Sequence, residues 1–273
     1  MTTSDWLTPC DRPLNIGHRG ASAAAPQNTL AAFRKAIELG ADGVELDAQL
    51  SADGVPVVIH DFVVETTTDG TGRVADKTLA ELKASDAGSK FSPEFAGERI
   101  PTLAEVFEAI EGRLLINIEL KDFDSFGGKL EAPVVEVVRK HAMEQRVLFS
   151  SFNPFVLYAV KRLAPDIPAG LLYREDLPIH LRRAWLAALI PHEARHPRCS
   201  MVTEATVKWC HMRGLRVNTW TVDEPADMCR LIALGVDGII TNRPDLLRDV
   251  LEDNVPRKPR REPRDGRSGV SVD

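Results

Sequence analysis

The chain has 273 residues, 44% of them hydrophobic and 27% charged, and its formal net charge is -6. A chain of this length can bury a core without disulfides or a structural metal, and its negative charge gives no general attraction to nucleic acid or an anionic membrane. Neither a signal peptide nor a stretch near the roughly 20 apolar residues of a spanning helix is visible. We therefore expect a cytoplasmic protein with no nucleic-acid partner and no stable membrane insertion.

Short apolar stretches typical of strands alternate with helical patterns along most of the chain. In chain order, the pattern predicts strands at 14–18, 43–50, 57–60, 114–121, 146–152, 168–173, 215–222 and 237–244, with 197–202 as a ninth candidate. It predicts helices at 28–40, 101–112, 131–143, 153–163, 203–214 and 223–235, the first of them capped by Asn28. Residues 174–198 indicate an amphipathic barrel helix rather than a membrane or partner contact, with His180, His192 and His196 at the surface.

The alternation of strands and helices predicts a parallel sheet with helices outside it. About eight strands over this length favour a closed (β/α)8 TIM barrel over an open doubly wound sheet, with a short insertion after the third strand. We expect an N-terminal segment at 1–13, the barrel domain at 14–252 and a disordered basic tail at 253–273. Contact of this tail with nucleic acid or phospholipid is an alternative to its simple solvation.

The stretch GVELDAQLSADGVPVVIHD, residues 43–61, predicts a hairpin with one acidic face. Six residues between its two strands are too few for a parallel crossover, and Asp53-Gly54 is a two-residue hairpin signal. Pairing about that turn puts Asp47 opposite His60. One face then carries Glu45, Asp47, Gln49 and His60, and the other carries Val44, Leu46, Ala48, Leu50, Val57 and Ile59. A hairpin with one solvated face is the alternative, but adjacent carboxylates repel each other without a cation between them.

Two other predicted strands also end in polar, chemically active side chains. LNIGHRG ends in His18 and Arg19, and LLINIELK carries Glu119 and Lys121 near its end. Because active sites of these barrels lie at the carboxyl ends of the strands, we expect these side chains to meet the acidic face of the hairpin.

The residue types predict metal-assisted cleavage of a phosphate ester. Three carboxylates favour Ca²⁺ or Mg²⁺ over zinc as a cofactor, and the metal ligands would be Glu45, Asp47 and Glu119. Arg19 and Lys121 supply positive charge for a phosphate. His18 and His60 would be the general acid and general base, in an order that the sequence leaves open.

These stretches together resemble the glycerophosphodiester phosphodiesterase family. The resemblance is carried by HRGASAAAPQNTLAAFRKAIELGADGVELDAQLSADGVPVVIHD, TTDGTG, GERIPTLAEVF, IELK, NTWTVD and DGIITNRPD. It implies a TIM barrel of the phospholipase C-like phosphodiesterase type and hydrolysis of a small glycerophosphodiester to glycerol 3-phosphate and an alcohol. It also implies a divalent metal on Glu45, Asp47 and Glu119, acid–base catalysis by His18 and His60, and substrate contacts from Arg19 and Lys121. Trp220 is implied as a lining residue, with a core role as its alternative.

The chain departs from the family's pattern at two places. The family's P-E-N-T is Pro26-Gln27-Asn28-Thr29 here, and Gln27 keeps the shape of the acid but loses its charge. We expect weaker positioning of the metal or of Arg19, without loss of activity. The arginine that often precedes T-T after H-D is absent, since Glu65 and Thr66 stand there. Residues 62–100 make a short insertion, which predicts an open site with weak headgroup selection.

Two alternatives to this function follow from the same residues. A lysophospholipase D-like enzyme would take a lipid-bearing diester and would need an apolar rim at the barrel mouth. A barrel without turnover would bind phosphodiesters, and Gln27 is the only hint of it. Cleavage through a cyclic phosphate or by direct water attack, the choice between Ca²⁺ and Mg²⁺, and the oligomeric state stay open.

Overall fold

The computed structural model describes residues 4–122, 128–179 and 190–254. Within these ranges eight parallel strands close into a barrel, because β1 pairs with both β2 and β9. The strands are β1 Leu14–His18, β2 Gly43–Leu50, β3 Pro56–Val58, β4 Leu115–Leu120, β5 Val147–Ser151, β6 Ala169–Tyr173, β7 Ala194–Pro197, β8 Arg216–Thr219 and β9 Gly238–Thr241. Only β3 lies outside the barrel, as an antiparallel partner of β2. The predicted (β/α)8 TIM barrel is confirmed.

Helices connect the strands on the outside of the barrel. They are α1 Leu30–Glu38, α2 Leu79–Ala84, α3 Leu103–Ile110, α4 Glu131–Lys140, α5 Pro154–Leu163, α6 Glu204–His211, α7 Pro225–Leu234 and α8 Pro244–Asn254. The first helix is capped by the Thr29 side chain, which accepts a hydrogen bond from the amide of Ala32. Asn28 was predicted for this role but has a left-handed backbone with φ 57°. It lies outside the helix and turns its side chain to the site described below.

Apolar residues fill two layers of the barrel. Between sheet and helices, Val44, Leu46, Ile116 and Ile118 pack against Phe33 and Val106. Inside the barrel, Ile16, Leu115, Leu148 and Ile240 form a floor that Trp6 closes from the N-terminal segment. The amide of Asp5 and the indole Nε1 of Trp6 bind the carbonyls of Gln145 and Arg146. The two layers pack the strands below their carboxyl ends.

The predicted register of the β2–β3 hairpin is wrong by one residue. Ala48 pairs with Val58, so Asp47 lies opposite Ile59 and not opposite His60. The loop has three residues, since the amide of Ser51 binds the carbonyl of Val55. A one-residue shift exchanges the two faces of a strand. Val58 therefore joins the barrel core, and Ile59 packs under the insertion instead.

The region from residue 174 to 202 also differs from its prediction. Residues 180–189, the middle of the predicted amphipathic helix 174–198 with His180, lie outside the described residues. The ninth candidate strand, 197–202, is displaced: β7 ends at Pro197, and Cys199–Met201 is a 3-10 helix. His196 is fully buried inside the barrel rather than at the surface, while His192 is half-buried.

The chain ends and the insertion complete the fold. The predicted tail, 253–273, lies outside the described residues apart from the end of α8. The insertion between β3 and α3 has a small core of its own, formed by Val57, Ile59, Val64, Val74, Leu82 and Ile100. Among the described residues, no helix has the length and apolar character needed to cross a membrane.

Candidate active site

A cavity of about 430 Å³ opens at the carboxyl ends of the barrel strands. It is lined by most of the residues that the sequence nominated: His18, Arg19, Glu45, His60, Glu119, Lys121 and Trp220. The remaining one, Asp47, lies directly beneath and is fully buried. Strands β1, β2 and β4 and the segment after β3 thus meet at one place, as their polar ends predicted.

The turn after β1 directs both the backbone amide and the guanidinium of Arg19 towards carboxylates of β2. Arg19 has a left-handed backbone with φ 55°, and its amide donates a hydrogen bond to Oε2 of Glu45 over 3.0 Å. Its guanidinium Nε lies 3.3 Å from Oδ2 of Asp47. Gly20 follows with φ 84°, where a Cβ atom would come within 2.7 Å of Ala32. Only glycine fits this close approach of the turn to α1.

Glu45, Asp47 and Glu119 form a buried carboxylate cluster. Each offers an oxygen within 4.8 Å of the others. Asp47 and Glu119 are register partners on β2 and β4, so their side chains leave the sheet side by side. Lys121 lies 3.2 Å from Glu119 and 3.6 Å from Asp47. Asn28 donates to Oδ2 of Asp47 over 2.9 Å, a contact that the sequence signalled only through its P-Q-N-T motif.

The crowding of these acids shows in their pKa values. Burial raises the pKa of Glu119 to about 7, and the charge of Asp47 adds to the effect. Burial also raises the pKa of Glu45, with a further contribution from Asp47 and Glu119. Burial acts on Asp47 in the same sense, but the charges of Arg19 and Lys121 outweigh it and lower the pKa of Asp47.

The cluster fits a divalent cation. Oδ1 of Asp47 is buried without a hydrogen-bond partner in the described part of the chain, and such orphaned buried oxygens are rare in folded proteins. Three carboxylates facing the charges of Arg19 and Lys121 leave one negative charge uncompensated, before a phosphodiester brings another. A doubly charged ion would neutralise both, and the three carboxylates offer it only oxygen ligands.

Both predicted acid–base histidines have Nδ1 held by a neighbouring side chain. Nδ1 of His18 lies 2.7 Å from Oδ1 of Asn242, and its Nε2 lies 4.0 Å from Glu45. Burial, with a smaller contribution from Arg19, lowers the pKa of His18 to about 4. Nδ1 of His60 lies 3.0 Å from Oδ1 of Asp61, and burial lowers the pKa of His60 also.

Gln49 explains how His60 reaches the cavity despite the shifted register. Its Nε2 donates to the carbonyls of Ile59, His60 and Asp61 over 2.9, 3.0 and 2.9 Å. Strand β3 has ended at Val58, so beyond the hydrogen bond from the Ile59 amide to the Asp47 carbonyl this side chain holds the segment. Gln49 was predicted to lie on the polar face, but no role was assigned to it. No sequence motif marks an amide that binds three consecutive carbonyls.

Trp220, Gln27 and Thr66 complete the surroundings. The Trp220 ring meets Phe152 edge to face at 5.5 Å, and its Nε1 donates to the His196 carbonyl over 2.9 Å. Gln27 accepts a hydrogen bond from Nη1 of Arg19 over 2.6 Å. Thr66 lines a second cavity of about 590 Å³ that reaches Gln27, and not the cavity above the carboxylates.

Several known proteins are similar to this chain in sequence and in fold. A glycerophosphodiester phosphodiesterase of Caldanaerobacter subterraneus is 46% identical over 239 residues, which cover 86% of this chain and 96% of that protein. An Oleispira antarctica phosphodiesterase, solved in complex with the product sn-glycerol-3-phosphate, has a TM-score of 0.81 at 34% identity and covers 88% of this chain and 97% of that one. A glycerophosphodiester phosphodiesterase structure from Agrobacterium tumefaciens has a TM-score of 0.74 at 31% identity, with 85% and 97% covered.

The family match covers most of the barrel, from the last residue of β1, and every predicted site residue. A sequence model of the glycerophosphoryl diester phosphodiesterase family matches residues 18–246. The chain therefore belongs to the glycerophosphoryl diester phosphodiesterase family and is a phosphodiesterase of that family, as its motifs predicted.

Proposed function

We propose that the chain hydrolyses small glycerophosphodiesters to sn-glycerol 3-phosphate and an alcohol, with one divalent cation and a pair of histidines. One observation carries the proposal: a single cavity joins a buried carboxylate cluster, two cationic side chains and two histidines. The product named for the Oleispira antarctica relative supports the same substrate class.

Glu45, Asp47 and Glu119 would hold the cation, Ca²⁺ or Mg²⁺. A cation held there would supply Lewis-acid stabilisation of the negative charge on the phosphoryl oxygens. Arg19 and Lys121 already face the cluster at 3.3 Å and 3.6 Å from Asp47. They would bind the same phosphoryl group and hold it in place, since preorganised positive charge is most effective where water is excluded.

His18 and His60 would move the protons. One neutral imidazole takes the proton of the attacking hydroxyl as the new bond to phosphorus forms. The bond from phosphorus to the leaving alkoxide breaks, and the other histidine delivers a proton to that oxygen. The lowered pKa of His18, about 4, keeps its imidazole neutral at pH 7 and able to accept a proton. The attacking hydroxyl is that of glycerol, giving a cyclic phosphate first, or that of water.

Trp220 would contact the substrate. Fixed by its bond to the His196 carbonyl, the Trp220 ring would form an apolar wall beside the substrate.

A cytoplasmic location is part of the proposal, because Cys10, Cys199, Cys210 and Cys229 are all free thiols and free thiols persist in reducing compartments.

A lysophospholipase D-like activity is the second candidate, and one observation favours it. Phe62 lines the cavity and remains 44% exposed, and its neighbour Val63 is 40% exposed. Exposed apolar side chains at the rim of a cavity are suited to an acyl chain.

A substrate comparison tests both candidates. The protein is incubated with glycerophosphocholine or lysophosphatidylcholine, with and without EDTA, and glycerol 3-phosphate, lysophosphatidic acid and choline are measured. We expect EDTA-sensitive release of glycerol 3-phosphate. Release of lysophosphatidic acid alone would replace the first candidate by the second, and binding of either substrate without turnover would overturn both.

Histidine variants test the acid–base pair. His18→Ala and His60→Ala should each reduce turnover by a factor of at least about 100, the lower range of general acid–base catalysis. His141→Ala, at the end of α4 and edge to face with Phe107, is the matched control and should keep full turnover. Undiminished activity in either site variant would remove that histidine from the mechanism.

A further inference from the structure

A chain of hydrogen bonds leads from His18 to a carboxylate outside the cavity. Nδ1 of His18 lies 2.7 Å from Oδ1 of Asn242, and Nδ2 of Asn242 donates to Oδ2 of Asp223 over 2.6 Å. The other oxygen of Asp223 accepts from the amide of Asn242 over 2.8 Å and from the hydroxyl of Thr241 over 3.0 Å. Both oxygens of Asp223 thus serve to fix Asn242.

The chain crosses three neighbouring strands of the barrel. His18 ends β1, Asn242 follows β9, and Asp223 lies between β8 and α7. Asn242 and Asp223 fall in the stretches DGIITNRPD and NTWTVD, where the sequence assigned a role only to Trp220. They are distant from His18 in the chain, so only the closed barrel brings them to it.

The polarity of this chain fixes the tautomer of His18. A carboxylate only accepts hydrogen bonds, so the amide nitrogen of Asn242 must face Asp223 and the amide oxygen must face His18. That oxygen also only accepts, so Nδ1 of His18 carries the hydrogen. Its Nε2 then keeps the lone pair and points to the cavity, where it lies 4.0 Å from Glu45.

Ser22 contributes a second donor to the same oxygen. Its hydroxyl lies 2.7 Å from Oδ1 of Asn242. Two donors on Oδ1 and a carboxylate on Nδ2 leave the amide one favourable orientation. If Asp223 lost its charge, a rotated amide would offer Nδ2 to His18, and His18 would have to accept there and carry its hydrogen on Nε2.

We propose that Asp223 is a positioning residue that acts through Asn242 to hold His18 with Nε2 as its proton-accepting atom. The inference rests on the proposed role of His18 in proton transfer. The alternative is a purely structural bond between the loops after β8 and β9, which would affect folding but not the tautomer.

Exchanging the two partners separates these possibilities. Asp223→Asn removes the acceptor that fixes the amide, and Asn242→Asp places two carboxylates in contact. The double variant restores the polarity: Asp at 242 accepts from His18, and Asn at 223 donates to it while accepting from the amide of residue 242. Asp227→Asn is the matched control, since this acid near the start of α7 pairs with Arg230 and its side chain is 47% exposed.

The readouts are kcat, KM, the thermal midpoint and the ¹⁵N shifts of the His18 ring. In D223N we expect the Nε2–H tautomer to appear and kcat to fall at least about tenfold with KM within about threefold, because proton transfer is lost and binding is kept. The double variant should recover kcat to within about threefold of the parent. D227N should match the parent throughout.

Two results would overturn the proposal. An unchanged Nδ1–H tautomer in folded D223N would do so whatever happens to activity, and it decides the question if the double variant does not fold. A folded double variant with no more activity than D223N would do so as well. Failure of the proposed function has a different signature, since H18A would then keep its turnover while the ring shifts of His18 in D223N still changed.

Discussion

Gln27 accepts a hydrogen bond of 2.6 Å from the guanidinium of Arg19, at the position for which the resemblance to the family's P-E-N-T motif predicts a glutamate. The bond keeps the geometry of an arginine–glutamate ion pair but lacks the negative charge of the glutamate. The guanidinium is thereby held beside Asp47, 3.3 Å from its carboxylate. The departure from the family's pattern is therefore mild in shape and confined to electrostatics.

Replacing Gln27 by an apolar side chain should release Arg19. A hydrogen bond to a charged group contributes about 1.5–3 kcal/mol, so Gln27→Leu should lower kcat/KM by a factor of about 10 or more in steady-state assays with glycerophosphocholine. Gln27→Glu restores the charge with the same shape and should stay within about threefold of the parent, since the bond survives. Parent-like kcat/KM in the leucine variant would show that Gln27 does not position Arg19.

Removing one charge from the carboxylate cluster should weaken the cation site. Glu119→Gln keeps the shape of the side chain but removes the partner of Lys121 at 3.2 Å. Changing a residue that only supports a metal ligand typically lowers the metal affinity by roughly 10- to 100-fold. Loss of the ligand itself should lower the affinity by at least that factor. Calcium titration calorimetry measures it, with Glu108→Gln, an exposed change on α3, as control. Equal affinities in all three proteins would remove Glu119 from the ligand set.

The barrel and the identity of the site residues could be predicted because both follow from local patterns. Strand periodicity places alternate residues on one face, and the carboxyl ends of parallel strands face the same mouth. His18, Glu45 and Glu119 needed nothing beyond these two rules and their own position in a strand.

The details that failed depend on geometry that the sequence does not state. Asp53-Gly54 indicated a two-residue turn, but Gly54 is the third residue of the loop, with φ 81°, and the register moved by one. His196 was placed at the surface because residues 174–198 were predicted to form an amphipathic helix, whereas 194–197 are a strand. It is instead buried inside the barrel, where Nε2 meets Asn218 at 3.0 Å.

Cation binding should stabilise the protein more at high pH than at low pH. Burial raises the folded-state pKa of Glu119 to about 7 from an ordinary value of 4.5. An acid with a raised folded pKa favours the folded state below its ordinary pKa, and this contribution is lost as pH rises through the folded value. Over the same window the ionised carboxylates become available to the cation.

The corresponding measurement is the thermal midpoint with and without calcium at about pH 6 and about pH 8. We expect the calcium-induced increase in midpoint to be larger at the higher pH. In Glu119→Gln this pH dependence should become smaller, since the replaced side chain does not titrate while Glu45, whose pKa is also raised, still does. An increase of the same size at both pH values in the parent protein would contradict the coupling.

Trp6 should stabilise the barrel from the end opposite the site. It does so from outside residues 14–252, which we propose as the barrel domain. It is 3% exposed in the floor and binds the Arg146 carbonyl over 2.8 Å. Since truncating a buried tryptophan typically costs about 3–5 kcal/mol, Trp6→Ala should lower the free energy of unfolding in urea by that amount. Its kcat should stay unchanged at low temperature. The control is Trp209→Ala on α6, where the side chain is 39% exposed. If both variants lost the same small amount, the N-terminal segment would be dispensable to the fold.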